Sequence, residues 1–309
     1  MQFAILVAAV LAATAVGGVC ERRFGEPAER AADRLLRAVL YGVLPLVVFF
    51  NVVGLDFTGD LAAGLGLAWI AALATGGLVY VVGRGRWTRP AVGSAVIAAL
   101  ASNTGYMGYP MTAIFLGTHR LAEAVAYDVV VAVPLLITVC FAVGAALAGI
   151  LTEGGEGAAQ RTRAFALRNP VLPAFILALV APDSLTPEAL VTLSQVLVFA
   201  VIPVGFFAVG VNVAATSERG LGVPRPGAPV VVAVTARLAV APALLYLLAL
   251  PLIELPATFL LVAAMPAGLN TLVVANVFGL DHGVAAGAIA WSTATMLAVA
   301  GVAAALGLG

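Results

Sequence analysis

Apolar residues in this chain come in blocks of about 20, the length that crosses a bilayer core as helix, parted by short stretches rich in arginine, aspartate, glycine and proline. That pattern predicts ten spans, near 2–20, 36–55, 61–83, 91–117, 121–149, 169–181, 188–215, 228–250, 256–279 and 283–307, with the sixth at the lower limit of length. The first block resembles a secretion signal in being apolar and ending in small residues. Its arginines follow the apolar run instead of preceding it, so a retained span is expected.

Two blocks are interrupted at mid-length. The fourth carries Ser102-Asn103-Thr104-Gly105-Tyr106-Met107-Gly108-Tyr109-Pro110 and the ninth Met265-Pro266-Ala267-Gly268-Leu269-Asn270-Thr271. Backbone that leaves a helix within hydrocarbon loses hydrogen bonds worth several kcal/mol per group, so such breaks persist where they line a cavity or bind something. A helix over 91–102 rises roughly 18 Å at 1.5 Å per residue, which puts Asn103 and Thr104 near the bilayer middle. Gly105 and Gly108 are expected to release the chain from helix and Pro110 to open a new one. In span nine Pro266, Gly268 and Asn270 sit at the corresponding depth. If the two segments cross, four half-helix ends meet, presenting partial positive charge to an anion and carbonyls to a cation. Asn103, Thr104, Asn270 and Thr271 would add hydrogen-bonding side chains. The alternative is two kinks in continuous helices, as Ile202-Pro203 and Gly205 in span seven suggest for themselves. Two Asn-containing clusters at matched depth favour binding.

Arginines orient the chain. Arg22, Arg23, Arg30, Arg34 and Arg37 fall between spans one and two, Arg84, Arg86 and Arg89 between three and four, Arg161, Arg163 and Arg168 between five and six, and Arg219 and Arg225 between seven and eight. The alternate connections hold Asp56, Asp60, Asp183, Glu188 and Glu254, with Arg120 the exception. Both termini are thus expected outside a cell membrane. Five spans per half place the second half upside down relative to the first. Val43-Leu44-Pro45 is echoed by Val201-Ile202-Pro203, and Phe115-Leu116-Gly117 by Val277-Phe278-Gly279, both at a shift of about 160 residues, as an inverted repeat requires.

Composition narrows the class. The 309 residues are 63% hydrophobic and 10% charged, with a mean hydropathy of +1.13, far beyond a soluble domain. Net charge is zero and the basic residues are all arginine, placed mostly in short connections, which leaves no nucleic-acid surface. Cys20 and Cys140 exclude a disulfide framework and a thiolate metal site. His119 and His282 fall on opposite sides, so no metal or cofactor is expected, and no nucleophile, base or metal set points to an enzyme.

Two charges fall inside spans. Arg237, about nine residues into span eight, needs a partner or water, since an unpaired charge there costs at least about 2.5 kcal/mol. It reads either as a counter-charge for an anionic substrate or a shifting salt bridge, or as a side chain snorkelling to the surface. Asp128 in span five reads either as a desolvated carboxylate that takes up a proton during a transport cycle or as a hydrated group about 10 Å from the outer surface.

The stretch Asn103 to Pro110 with Phe115-Leu116-Gly117, together with Met265-Pro266-Ala267-Gly268 leading to Val277-Phe278-Gly279, resembles the auxin efflux carrier family, in the broad group of bile acid/sodium symporters. The resemblance implies an all-α membrane protein of ten transmembrane helices, two inverted five-helix repeats over about 1–150 and 169–309, with broken helices 4 and 9 crossing. It implies scaffold helices over 1–60 and 169–216, transport-unit helices over 61–150 and 228–309, and a homodimer through helices 2 and 7. Carboxylate-type organic anions are the implied cargo. The short connection between spans five and six resembles the compact prokaryotic type. The expected function is a secondary transporter of a small organic anion by alternating access. Substrate would be held by Asn103, Thr104, Gly105, Gly108, Pro110, Pro266, Gly268, Asn270 and Thr271, charge handled by Asp128 or Arg237, and coupling supplied by proton or sodium. A receptor that binds an anion without moving it is the alternative.

Overall fold

The computed structural model describes residues 2–53, 55, 58–148, 170–216 and 226–305, and among them regular structure is helical apart from one isolated antiparallel bridge between Ser102 and Ala267. The helices are α1 (Gln2–Phe24), α2 (Glu26–Val52), α3 (Gly59–Gly83), α4 (Arg89–Leu100), α5 (Tyr109–Phe115), α6 (Thr118–Leu147), α7 (Val171–Val180), α8 (Glu188–Thr216), α9 (Ala228–Ala249), α10 (Ala257–Ala263), α11 (Asn270–Phe278) and α12 (His282–Ala305). Six of them, α2, α3, α6, α8, α9 and α12, are long and apolar enough to cross a membrane. The chain is an all-α membrane protein. Asp56 and the arginines at 161, 163, 168, 219 and 225, on which part of the expected orientation rests, lie outside the described residues.

Helix α2 begins ten residues before the span expected from 36, so Arg30, Arg34 and Arg37 are helical instead of lying in a connection. Pro27 sits in its first turn with Glu26 and Glu29, and Ala28 and Ala32 are buried against Ala208 and Val211 of α8. Charges on the outer face hid this helix from a count of apolar residues, although the acids at its start suit the helix dipole.

Prolines inside the apolar segments are accommodated by wide π-turns. Val39–Val43, Thr104–Gly108, Asp128–Ala132 and Ala236–Val240 each end two residues before a proline, at 45, 110, 134 and 242. Proline lacks an N–H and its ring clashes with the carbonyl four residues back, and a wider turn moves that carbonyl aside. For Pro134 that carbonyl belongs to Val130, and it accepts a hydrogen bond from the Trp69 indole at 2.9 Å. Pro203 differs, lying within the continuous helix α8 with no π-turn before it.

Packing falls into two sets. Helices α1, α2, α7 and α8 pack mainly on one another, while α3, α6, α9 and α12 surround the broken segments α4/α5 and α10/α11. In the first set α1 and α8 touch backbone to backbone. A Cβ on Gly17 would stand 2.1 Å from the Phe207 carbonyl oxygen, and one on Gly210 would stand 2.0 Å from that of Thr14. Such closeness needs glycine on both sides. Each broken segment ends on a glycine with positive φ, Gly117 at 91° and Gly279 at 62°, where a side chain would be strained.

Candidate functional site

Helix α4 stops at Leu100 and α10 at Ala263, and the chains that follow cross. The Asn103 amide donates to the Pro266 carbonyl at 2.8 Å and the Gly268 amide to that of Ala101 at 2.8 Å. Two hydrogen bonds thus replace helical bonds that both segments have given up, which keeps broken backbone satisfied within an apolar interior. A Cβ on Gly268 would lie 3.0 Å from the Ser102 carbonyl oxygen and 3.2 Å from its carbon. The Ala267 amide donates to Ser292 Oγ of α12 at 3.0 Å, and Ser292 is fully buried.

The glycines act differently from the sequence expectation. The chain leaves helix at 101–103, and Gly105 and Gly108 already belong to the π-turn that restarts it, Gly108 with φ −61° and ψ −47°. Neither has positive φ. A Cβ on Gly108 would make an ordinary contact with Met265 at 3.5 Å, and one on Gly105 with Leu44 of α2 at 3.7 Å, so neither position is closed to a side chain by its neighbours. Pro110 occupies the first turn of α5, as expected for a restarted helix. Gly205 of α8 receives the ring of Tyr106, whose nearest carbon would be 2.9 Å from an added Cβ. The close packing of α8 at Gly205 is therefore against the first break.

Arg237, on the π-turn of α9, is 3% exposed. Its Nε donates to the Met265 carbonyl at 3.0 Å, Nη1 to those of Ala99 and Leu100 at 3.1 and 3.3 Å, and Nη2 to that of Ala263. All four acceptors are orphan carbonyls at or beside the C-terminal ends of α4 and α10, where a cation is favoured by the helix dipole. Among the described residues Arg237 forms no ion pair, and its stem does not carry the charge to water as snorkelling would require.

Asp128 stands on the other side of the break. It is 7% exposed, and its two carboxylate oxygens accept from the Thr104 hydroxyl and, at 2.6 Å, from the Tyr109 hydroxyl. Both donors lie on the chain that restarts after the break, so this anion sits beside a helix start as the dipole favours. The hydrated alternative does not hold. Thr104, read as a substrate ligand, is engaged by Asp128, and Tyr109 completes the grip; aromatic hydroxyls among apolar neighbours gave no sequence signal for it.

Three of the expected polar groups remain free of protein partners or open. Asn103 is 5% exposed, and its carboxamide has no hydrogen bond among the described residues. The Thr271 hydroxyl is fully buried without a partner among the described residues. Asn270 opens α11 with an exposed side chain, and that helix start carries neither a side-chain cap nor an acid in its first turn. Pro266 and Gly268 are buried in the crossing itself. A cavity of about 350 Å³ lies elsewhere, where α9 meets α10, lined by Tyr246, Leu250, Ile253, Glu254, Leu255 and Leu260 among others.

No protein-family model matches the chain. Half of it is similar to a protein of Methanothermobacter thermautotrophicus described as an uncharacterized transporter, with 30% identity over 155 residues. The match covers 49% of this chain and 48% of that protein, so the chain spans about half the length of the curated relative it matches.

Proposed function

We propose that the chain is a secondary transporter of a small organic anion of the carboxylate class, working by alternating access with substrate bound where the two breaks cross. The observation that carries the reading is the state of the four half-helix ends. Arg237 occupies both C-terminal ends and Asp128 sits beside the start leading into α5, which leaves the α11 start as the positive end with no acid in its first turn and no side-chain cap. An anion there would meet backbone N–H groups and the dipole, with Asn270 beside it. The Thr271 hydroxyl, buried without a partner among the described residues, would gain a hydrogen bond from a ligand, and the Asn103 carboxamide, with no hydrogen bond of its own there, is free to supply one.

On this reading the ten expected spans form two inverted repeats with both termini outside the cell membrane. The set α1, α2, α7 and α8 is the static scaffold, through which the protein dimerises, and the remainder moves past it. Glycine-backed contact of α1 with α8 suits a rigid frame, and the Tyr106 ring against Gly205 is a sliding contact between the sets. Similarity of half the chain to a protein described as a transporter agrees with the class.

Purified protein in liposomes, offered a panel of radiolabelled mono- and dicarboxylates, tests the proposal. Saturable accumulation of at least one is expected, and its loss in Asn103→Ala. Saturable binding in detergent with no flux for any binder makes the protein a receptor instead.

A further inference from the structure

We propose that Arg237 is a tethered monovalent cation: its guanidinium fills a carbonyl site at the two half-helix C-terminal ends that would otherwise hold Na⁺, so that transport by this chain runs without sodium. The inference rests on the transporter reading for its functional half and on geometry alone for its structural half.

Four carbonyl oxygens, of Ala99, Leu100, Ala263 and Met265, ring the buried guanidinium, and each accepts from one of its three nitrogens. Unwound carbonyls and half-helix C-terminal ends are the donor set with which carriers of broken-helix design coordinate sodium, a hard cation that takes oxygen ligands. Nothing in that set selects arginine over a free ion. What selects it is that Arg237 is covalently supplied from α9, whose π-turn at Ala236–Val240 carries the side chain.

Charge bookkeeping points the same way. Each helix C-terminus is equivalent to roughly −0.5 of an elementary charge, so the two together are balanced by about one cation. The single guanidinium supplies it. A sodium ion added beside it would need a carboxylate, and the buried one nearby in sequence to the break, Asp128, already accepts from Thr104 and Tyr109. Among the described residues no acidic side chain pairs with Arg237. The arrangement therefore holds a permanent resident where a coupling ion would come and go, and any coupling must use another ion, with a proton on Asp128 the group available.

Thermal unfolding of the purified full chain in sodium chloride against choline chloride at equal ionic strength decides the structural half. Wild type is expected to unfold at the same midpoint in both, within about 1 °C, because a ligand that does not bind the native state does not stabilise it. Arg237→Ala is expected to unfold earlier in choline and to regain much of the loss as sodium rises, since the emptied carbonyls then accept the ion. A sodium-dependent rise in wild type, or a folded Arg237→Ala that ignores sodium, overturns the proposal. If Arg237→Ala fails to fold in either salt, wild type and Arg237→Lys decide: both must ignore sodium, and a sodium-dependent rise in either overturns it. Flux into liposomes with sodium or choline outside separates the two readings. Flux equal in both supports the tethered cation, flux that requires sodium defeats it alone, and absence of any flux defeats the transporter reading while the unfolding result stands.

Discussion

Gly268 passes the Ser102 carbonyl so closely that a single added carbon would lie 3.0 Å from its oxygen. The neighbour is backbone, held by the paired bonds from Asn103 to Pro266 and from Gly268 to Ala101, so it has little freedom to yield. Gly268→Ala is expected to lower stability by about 1–3 kcal/mol, the usual cost of overpacking. Gly268→Val should cost more. Detergent unfolding midpoints measure both, and an unchanged midpoint for the valine variant contradicts the close crossing.

The contact of α1 with α8 is tighter still. Gly210→Ala drives a methyl to 2.0 Å from the Thr14 carbonyl oxygen, and Gly17→Ala does the same toward Phe207. Either should prevent normal folding, read as loss of a monodisperse peak in size-exclusion chromatography. Gly66 and Gly77 on α3 have open space around them, so their alanine variants should be neutral or stabilised by about 0.5–1 kcal/mol.

Asp128 holds two hydroxyls with two oxygens. Asp128→Asn leaves one acceptor oxygen and turns an amide toward the other donor, so a loss of about 1–3 kcal/mol is expected. Combining it with Tyr109→Phe should cost less than the two single losses added, because the partners share one bond. Strict additivity in unfolding measurements would mean that the two residues do not interact.

Asn103 predicts the opposite balance. Its carboxamide makes no hydrogen bond among the described residues, so Asn103→Ala should leave the unfolding midpoint nearly unchanged while transport falls at least about tenfold, the effect of losing near 1.4 kcal/mol of substrate binding. A structural role would move stability and transport together.

How far the chain could be read from its residues differs from place to place. Both breaks were legible because proline, glycine and asparagine do not belong together in an apolar run, and the prolines at 45, 110, 134 and 242 mark the ends of π-turns by a steric rule that needs no partner. The start of α2 was not legible by counting apolar residues, since its buried face is two alanines among charges. That Arg237 needed a partner or water followed from its place in an apolar span; which partners it has did not. Carbonyls are offered by every residue, so nothing in the letters at 99, 100, 263 and 265 singles them out for the guanidinium. Gly105 and Gly108, expected to release the chain from helix, lie in the π-turn that restarts it; the departure at 101–103 is held by backbone bonds to the second segment, which one dimension does not show.

Counterflow across liposome membranes tests the central claim most directly. Vesicles containing wild-type protein and loaded with an unlabelled carboxylate found in the panel should accumulate the labelled compound transiently. Asn103→Ala and Asn270→Ala, folded to the same midpoint, should each reduce that accumulation at least about tenfold. Accumulation that persists in both variants, with wild-type affinity, contradicts binding at the crossing of the two broken segments.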